Sequence, residues 1–155
     1  MRLPAVAGKL SFMKTQRKAS AEWHGGLKEG KGAITTGSGV LQATQYSFAT
    51  RFENGEGTNP EELVAAAHAG CFAMALSMIL GLDGLTADTI RAEATVTLEK
   101  VGEGFEVTSS HLVVRAKVPG ADSARFDKAA QAAKSGCPIS KLLKAEITMD
   151  AALEG

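Results

Sequence analysis

The sequence predicts an α+β fold in the order βββ–α–ββ–α–β, with antiparallel sheets around long central helices in an intertwined homodimer. Three observations carry this. Residues 15–52 break into short alternating runs between glycines. Leu63–Leu82 is a 20-residue stretch without a charge, preceded by a strong helix start. Residues 90–118 form two alternating runs joined by a Gly-Glu-Gly turn. Strands and helices do not alternate one for one, so a doubly wound parallel sheet is excluded.

In residues 15–52, Gly25-Gly26, Gly30, Gly32 and Gly37-Ser38-Gly39 punctuate the chain. Ala19, Ala21 and Trp23 alternate in the first run, and Val40-Leu41 and Tyr46–Ala49 continue the strand pattern. Three antiparallel strands are expected, the last ending near Arg51-Phe52, followed by a loop over 53–58. Asn59 then suits a helix N-cap and Pro60 the first helical position, where no N–H is needed. Glu61 and Glu62 stand in the first turn, where the positive end of the helix dipole favours carboxylates. The helix is apolar all round and is expected to be buried on every side. One short chain cannot cover such a helix. Ala66, Gly70, Ala73 and Ser77 make a stripe of small residues along it, suited to close approach by a second helix. A dimer pairing two such helices inside sheets from both chains resolves the geometry.

After the helix, Ile90, Ala92, Ala94, Val96 and Leu98 alternate as a half-buried strand, and Gly102-Glu103-Gly104 turns into a partner strand ending before Pro119-Gly120. Asp122 or Ser123 caps a second helix that ends at Gly136. Cys137-Pro138 opens a short helix to Lys144, and Ala145–Leu153 is a final strand. Residues 1–14 read as a flexible N-terminal extension, with Met13-Lys14 a candidate internal start, and 15–155 as a single domain.

Composition excludes several classes. The 155 residues are 45% hydrophobic and 22% charged, which is ordinary for a globular domain and unlike a disordered chain. Seventeen Lys+Arg balance seventeen Asp+Glu, so no basic excess points to nucleic acid. A membrane span is rejected for the long apolar stretch. It is mostly Ala, Gly, Ser and Met, contains His68, and is flanked by Glu61, Glu62 and Asp83 instead of Lys, Arg and aromatic residues. The first residues hold no apolar core of signal-peptide length. Two cysteines cannot staple a secreted scaffold, and a reducing, cytoplasmic compartment is expected.

The candidate chemistry lies with Cys71, Cys137, His68, Arg51 and Glu61. Cys71 sits mid-helix among apolar neighbours, where desolvation raises a thiol pKa and leaves it inert unless a cation is near. Cys137 caps the short helix, whose N–H groups favour thiolate. On these grounds Cys137 is the easier thiolate, and which sulfur attacks is left open. Each cysteine also reads as structural: Cys71 as a small buried hydrophobe, Cys137 as a cap. His68 lies one turn before Cys71 and is a candidate general base, half of a metal site, or a core imidazole bonded to an acceptor. His68, Cys71 and Cys137 are too few ligands to argue zinc. Arg51 alone reads as a solvated edge charge and Glu61 as a first-turn carboxylate.

The run RFENGEGTNPEELVAAAHAGCFAMALS, followed later by GCPISKLLKAEIT, resembles the OsmC/Ohr superfamily, the osmotically inducible and organic hydroperoxide resistance proteins. The resemblance spans about residues 15–153. It implies thiol peroxidases built as intertwined α+β homodimers with active sites at the dimer interface. By this resemblance Cys71 corresponds to the peroxide-attacking cysteine, Cys137 to the resolving cysteine and Glu61, in PEEL, to the active-site glutamate. Arg51, in TRFE, corresponds to the arginine of the OsmC branch. The Ohr branch carries its arginine in an early strand-loop, and GGLKEGKG here has none. The implied reaction reduces organic hydroperoxides, and hydrogen peroxide less well, through a Cys71 sulfenic acid and a Cys71–Cys137 disulfide. An external dithiol, which in this family can be a lipoyl group, regenerates the thiols. No cofactor and no metal are implied. A non-catalytic dimer with buried cysteines and a His/Cys metal-binding module are the alternatives.

Glu61 and Cys71 are ten residues apart on one expected helix, about 15 Å along its axis and about 80° around it. No glutamate side chain spans that gap. Each site is therefore expected to be composite, with Cys71 and Cys137 from one chain and Glu61, together with Arg51, from its partner.

Overall fold

The computed structural model describes residues 14–155, so the expected N-terminal extension lies, but for its last residue, outside the described residues. The chain divides into two compact units between Thr58 and Asn59.

In the first unit, β1 (Ala19–His24), β2 (Lys31–Thr36) and β3 (Thr44–Tyr46) form an antiparallel sheet in that order, as the glycine punctuation predicts. Gly32 is required where the rings of Trp23 and Tyr46 lie 5.4 Å apart, because a Cβ there would collide with both. The third strand is shorter than expected. Instead of running on to Arg51-Phe52, the chain enters a short helix, α1 (Phe48–Phe52). The Ser47 hydroxyl accepts from the Thr50 N–H at 3.3 Å and the Thr50 hydroxyl accepts from the Ser47 N–H at 2.8 Å. That reciprocal cap satisfies two backbone donors and closes the helical turn. Arg51 therefore stands on a helix, not at a strand end.

The second unit begins with α2 (Pro60–Leu82). The Asn59 side-chain oxygen accepts from the Glu62 N–H at 2.8 Å, as the sequence predicts. The far end closes with Leu85 N–H on the Leu80 carbonyl and Gly84 N–H on the Gly81 carbonyl. Gly84 has φ +73, the left-handed conformation this helix stop requires. Next come β4 (Thr89–Val101), β5 (Gly104–Lys117), α3 (Ser123–Gly136), α4 (Pro138–Leu142) and β6 (Glu146–Glu154). The strands are ordered β4-β5-β6, and β4 pairs β5 antiparallel as expected. The expectation of a wholly antiparallel sheet fails at β6, which runs parallel to β5, with Leu112 opposite Met149. The cause is the connection. The helices α3 and α4 carry the chain back to the end of the sheet where β5 began, as a crossover between parallel strands must.

The core of this unit lies between the sheet and α2 and α3. It contains Phe72, Leu76 and Leu80 of α2, Leu112, Val114 and Ala116 of β5, Phe126, Ala129, Ala130 and Ala133 of α3, and Cys137. The alanines of α3 allow close packing where larger side chains would hold the layers apart. Arg125 of α3 joins Asp83 at the end of α2 through Nε at 2.8 Å. Each fully buried Phe or Leu contributes roughly 1.5–3 kcal/mol.

Within the single chain, the helix α2 is buried on one face only. His68, Phe72, Leu76 and Leu80 are enclosed, whereas Met74 is 77%, Met78 60% and Leu82 83% exposed. Ala66, Gly70 and Ser77 are exposed on the same open side, and a Cβ added at Gly70 would meet nothing within 4 Å among the described residues. The helix passes the length and composition test for a membrane span, but its buried face forms the core of this unit.

Candidate active site

Two elements carry the thiols. On α2, the buried stripe through His68 and Phe72 leaves Cys71 half-buried at its margin. At the junction of α3 and α4, Cys137 ends one helix and caps the next. Its N–H donates to the Ala133 carbonyl at 2.9 Å, and its carbonyl accepts from Lys141 N–H at 3.1 Å. Pro138 at the first position of α4 forces this break in direction, since it cannot continue α3 with a backbone hydrogen bond. Cys137 is 0% exposed. Both cysteines are reduced, and although they are 66 residues apart in sequence their thiols lie close enough for each to act on the other's pKa.

The two thiols have opposite settings. Burial pushes the Cys71 pKa up, the Cys137 thiol adds to the rise, and the Ile139 N–H offsets only part of it. Burial also acts to raise the Cys137 pKa. There it is outweighed by the influence of the nearby Cys71 thiol, of the N–H groups of Ser140 and Ile139 at the start of α4 and of the Ser140 hydroxyl, and the net direction is down. The first turn of α4 thus acts as a thiolate holder, in keeping with the capping position.

His68 is fully buried. Its Nδ1 is 2.7 Å from the Ser110 hydroxyl of β5 and its Nε2 is 2.8 Å from the Ser140 hydroxyl of α4. Burial lowers its pKa, so the ring is neutral. Both nitrogens are engaged by hydroxyls, which supports the core-imidazole reading over the metal-ligand one. Among the described residues no three His, Cys, Asp or Glu side chains are grouped to hold a metal ion.

The structure therefore brings together Cys71, Cys137 and, through Ser140, His68. Glu61 stands in the first turn of α2, and the helix runs unbroken from it to Cys71, about 15 Å away along the axis. Arg51 belongs to the first unit, where its guanidinium lies 5.5 Å from the centre of the Phe52 ring. Ser110 and Ser140 escape sequence reasoning. Ser140 carried one usable signal: it is three residues after the cap Cys137, where a helix N–H reaches back to a capping atom. Ser110 carried none.

An α+β chain with a pair of reduced thiols, one on a core helix and one at a helix junction, defines a two-cysteine thiol protein. The chain belongs to the OsmC-like protein family, which matches residues 53–152. It is 51% identical over 138 residues to Peroxiredoxin OsmC of Escherichia coli, covering 89% of this chain and 96% of that protein. It is 30% identical over 117 residues to the organic hydroperoxide resistance protein OhrB of Bacillus subtilis, covering 75% and 84%. The crystal structure of that OhrB superimposes with a TM-score of 0.65 at 26% identity, over 87% of this chain and 98% of that one. An OsmC-like protein of Mycoplasma pneumoniae shares the fold, with a TM-score of 0.71 at 13% identity over 92% and 100%.

Proposed function

We propose that this chain is a thiol-dependent peroxidase that reduces organic hydroperoxides, and hydrogen peroxide less well, working as an intertwined homodimer in the cytoplasm. The observation that carries the reading is the meeting of Cys71 and Cys137 in a chain 51% identical to a peroxiredoxin of the OsmC type.

Access supports this division of roles. Cys137 is the easier thiolate but is fully enclosed, whereas Cys71 is half-buried. An incoming hydroperoxide meets Cys71. The Cys71 thiolate attacks the O–O bond, oxygen is transferred to sulfur, and the departing alkoxide takes a proton and leaves as alcohol. The Cys137 thiolate then attacks the sulfenic sulfur. A disulfide forms, and the hydroxyl leaves as water after taking a proton. A dithiol such as a lipoyl group restores both thiols by exchange, itself becoming a disulfide.

Cys71 needs a cation for the first step, because its own surroundings hold the thiol protonated. Arg51 supplies it and orients the peroxide oxygens, and Glu61 holds the guanidinium as a bidentate partner. The unbroken α2 keeps Glu61 away from the Cys71 of its own chain. The open, small-residue side of α2 fits a second copy packed antiparallel, which would set Glu61 of one chain beside Cys71 of the other. Large exposed apolar side chains such as Met74 and Met78 are otherwise costly in water.

The test is turnover of cumene or tert-butyl hydroperoxide with dihydrolipoamide. Sustained consumption by the wild type and none by Cys71→Ser is the expected result. A Cys71→Ser variant as active as the wild type would leave the non-catalytic dimer as the better reading.

A further inference from the structure

The peroxidase reading gives no work to His68, yet this side chain is fully buried, with both ring nitrogens engaged by hydroxyls from two other elements. Burying an imidazole is costly unless both nitrogens are satisfied. A leucine at this depth would fill the core without that requirement. What the imidazole adds is direction. Ser110 comes from β5, in the middle of the sheet, and Ser140 from the first turn of α4. His68 itself lies one turn before Cys71, and Ser140 lies three residues after Cys137. The chain Ser110–His68–Ser140 thus ties the two cysteine-bearing elements together one turn away from the sulfurs, and anchors both to the sheet.

We propose that the Ser110–His68–Ser140 hydrogen-bond chain is the positioning device for the disulfide-forming step, holding Cys137 against Cys71 and aiming the Ser140 hydroxyl at the Cys137 sulfur. Its place in a catalytic cycle rests on the peroxidase reading above. A neutral imidazole offers one donor and one acceptor. When Cys137 is a thiolate, its sulfur only accepts. Ser140 then donates to that sulfur, and its oxygen accepts from His68 Nε2–H. His68 Nδ1 accepts in turn from the Ser110 hydroxyl. Every proton in the chain is committed in one sense, with the open end at the reacting sulfur. When Cys137 has condensed with the Cys71 sulfenic acid the thiolate is gone, and Ser140 is released to donate to His68 instead. His68 and Ser140 act here as positioning residues, because neither touches the peroxide.

The step affected is closure: the Cys137 thiolate bonds to the Cys71 sulfenic sulfur, and the hydroxyl takes a proton and departs as water. Oxygen transfer to Cys71 precedes it and does not use the chain. In a single turnover with one equivalent of tert-butyl hydroperoxide, the wild type should close to the disulfide. His68→Leu and Ser140→Ala should still form the sulfenic acid but close about tenfold more slowly, the order a lost hydrogen bond to a charged atom produces. Dimedone should trap the waiting Cys71 sulfenic acid in both variants, and excess peroxide should carry it on to sulfinic acid. His68→Gln, whose amide can donate to Ser140, should recover most of the closure rate. A purely packing role would rank Leu at least as high as Gln.

Ser140→Ala is half-buried and keeps His68, so it serves if His68→Leu fails to fold. Closure at the wild-type rate in Ser140→Ala, or no recovery in a folded His68→Gln, would overturn the proposal. Diamide separates this from the peroxidase reading, since it oxidises the two thiols to a disulfide and is itself reduced to the hydrazine without any peroxide. A wild type that ignores hydroperoxide would sink the peroxidase reading, while slower diamide closure in the variants would still support the positioning chain.

Discussion

Cys71 and Cys137 are the same chemical group in two settings, and the protein sends their pKa values in opposite directions. Cys71 sits mid-helix, where backbone N–H groups are already used within the helix, so burial dominates and the thiol stays protonated. Cys137 sits where one helix stops and another starts, and the N–H groups at the start of the new turn help to lower its pKa. The enclosed thiol has its pKa lowered and the reachable one has its pKa raised. A resolving thiolate should wait sealed from peroxide until a sulfenic acid appears beside it. An attacking thiol can depend on a cation from elsewhere, so that it is reactive only in the assembled enzyme.

The largest effect that follows falls on that cation. Arg51→Ala should lower peroxidase turnover on the order of 10²-fold, the scale for removing one preorganised charge partner. The Cys71 thiolate is disfavoured by burial and would lose its compensation, so its alkylation profile should move to higher pH. The profile of Cys137, whose pKa is set by groups of its own chain, should stay in place. An unmoved Cys71 profile would mean that another group ionises it.

A smaller effect tests where the helper residues come from. Cys71→Ser and Glu61→Ala chains are each expected to be inactive. After subunit exchange roughly half the dimers are mixed, and each mixed dimer has one site lacking both groups and one intact site, so about a quarter of wild-type activity should return. No recovery, with exchange verified by mass spectrometry, would place Glu61 and Cys71 in the same chain.

The sequence made these settings legible to different degrees. The start of α2 was plain, because Asn59, Pro60, Glu61 and Glu62 act on one another within a single turn. The capping position of Cys137 was legible for the same reason, with Gly136 and Pro138 on either side. The helix α1 was hidden because Thr50 completes the cap of Ser47 where the familiar pattern has Glu or Gln, and Tyr46 and Phe48 look like strand. The parallel pairing of β6 was also hidden, since alternation has the same period in either direction. That the two thiols meet came from family resemblance, because their approach depends on where α3 returns the chain. Ser110 and Ser140 are ordinary residues until the fold brings them to His68.

The most direct test of the central claim assigns the first oxidation to one sulfur. Reduced Cys137→Ser and Cys71→Ser proteins are each treated with one equivalent of tert-butyl hydroperoxide in the presence of dimedone, and the labelled residue is identified by peptide mapping. The account predicts a rapid adduct on Cys71 in Cys137→Ser and no adduct in Cys71→Ser. A rapid adduct on Cys137 in Cys71→Ser, with Cys71 unlabelled in the other variant, would contradict it.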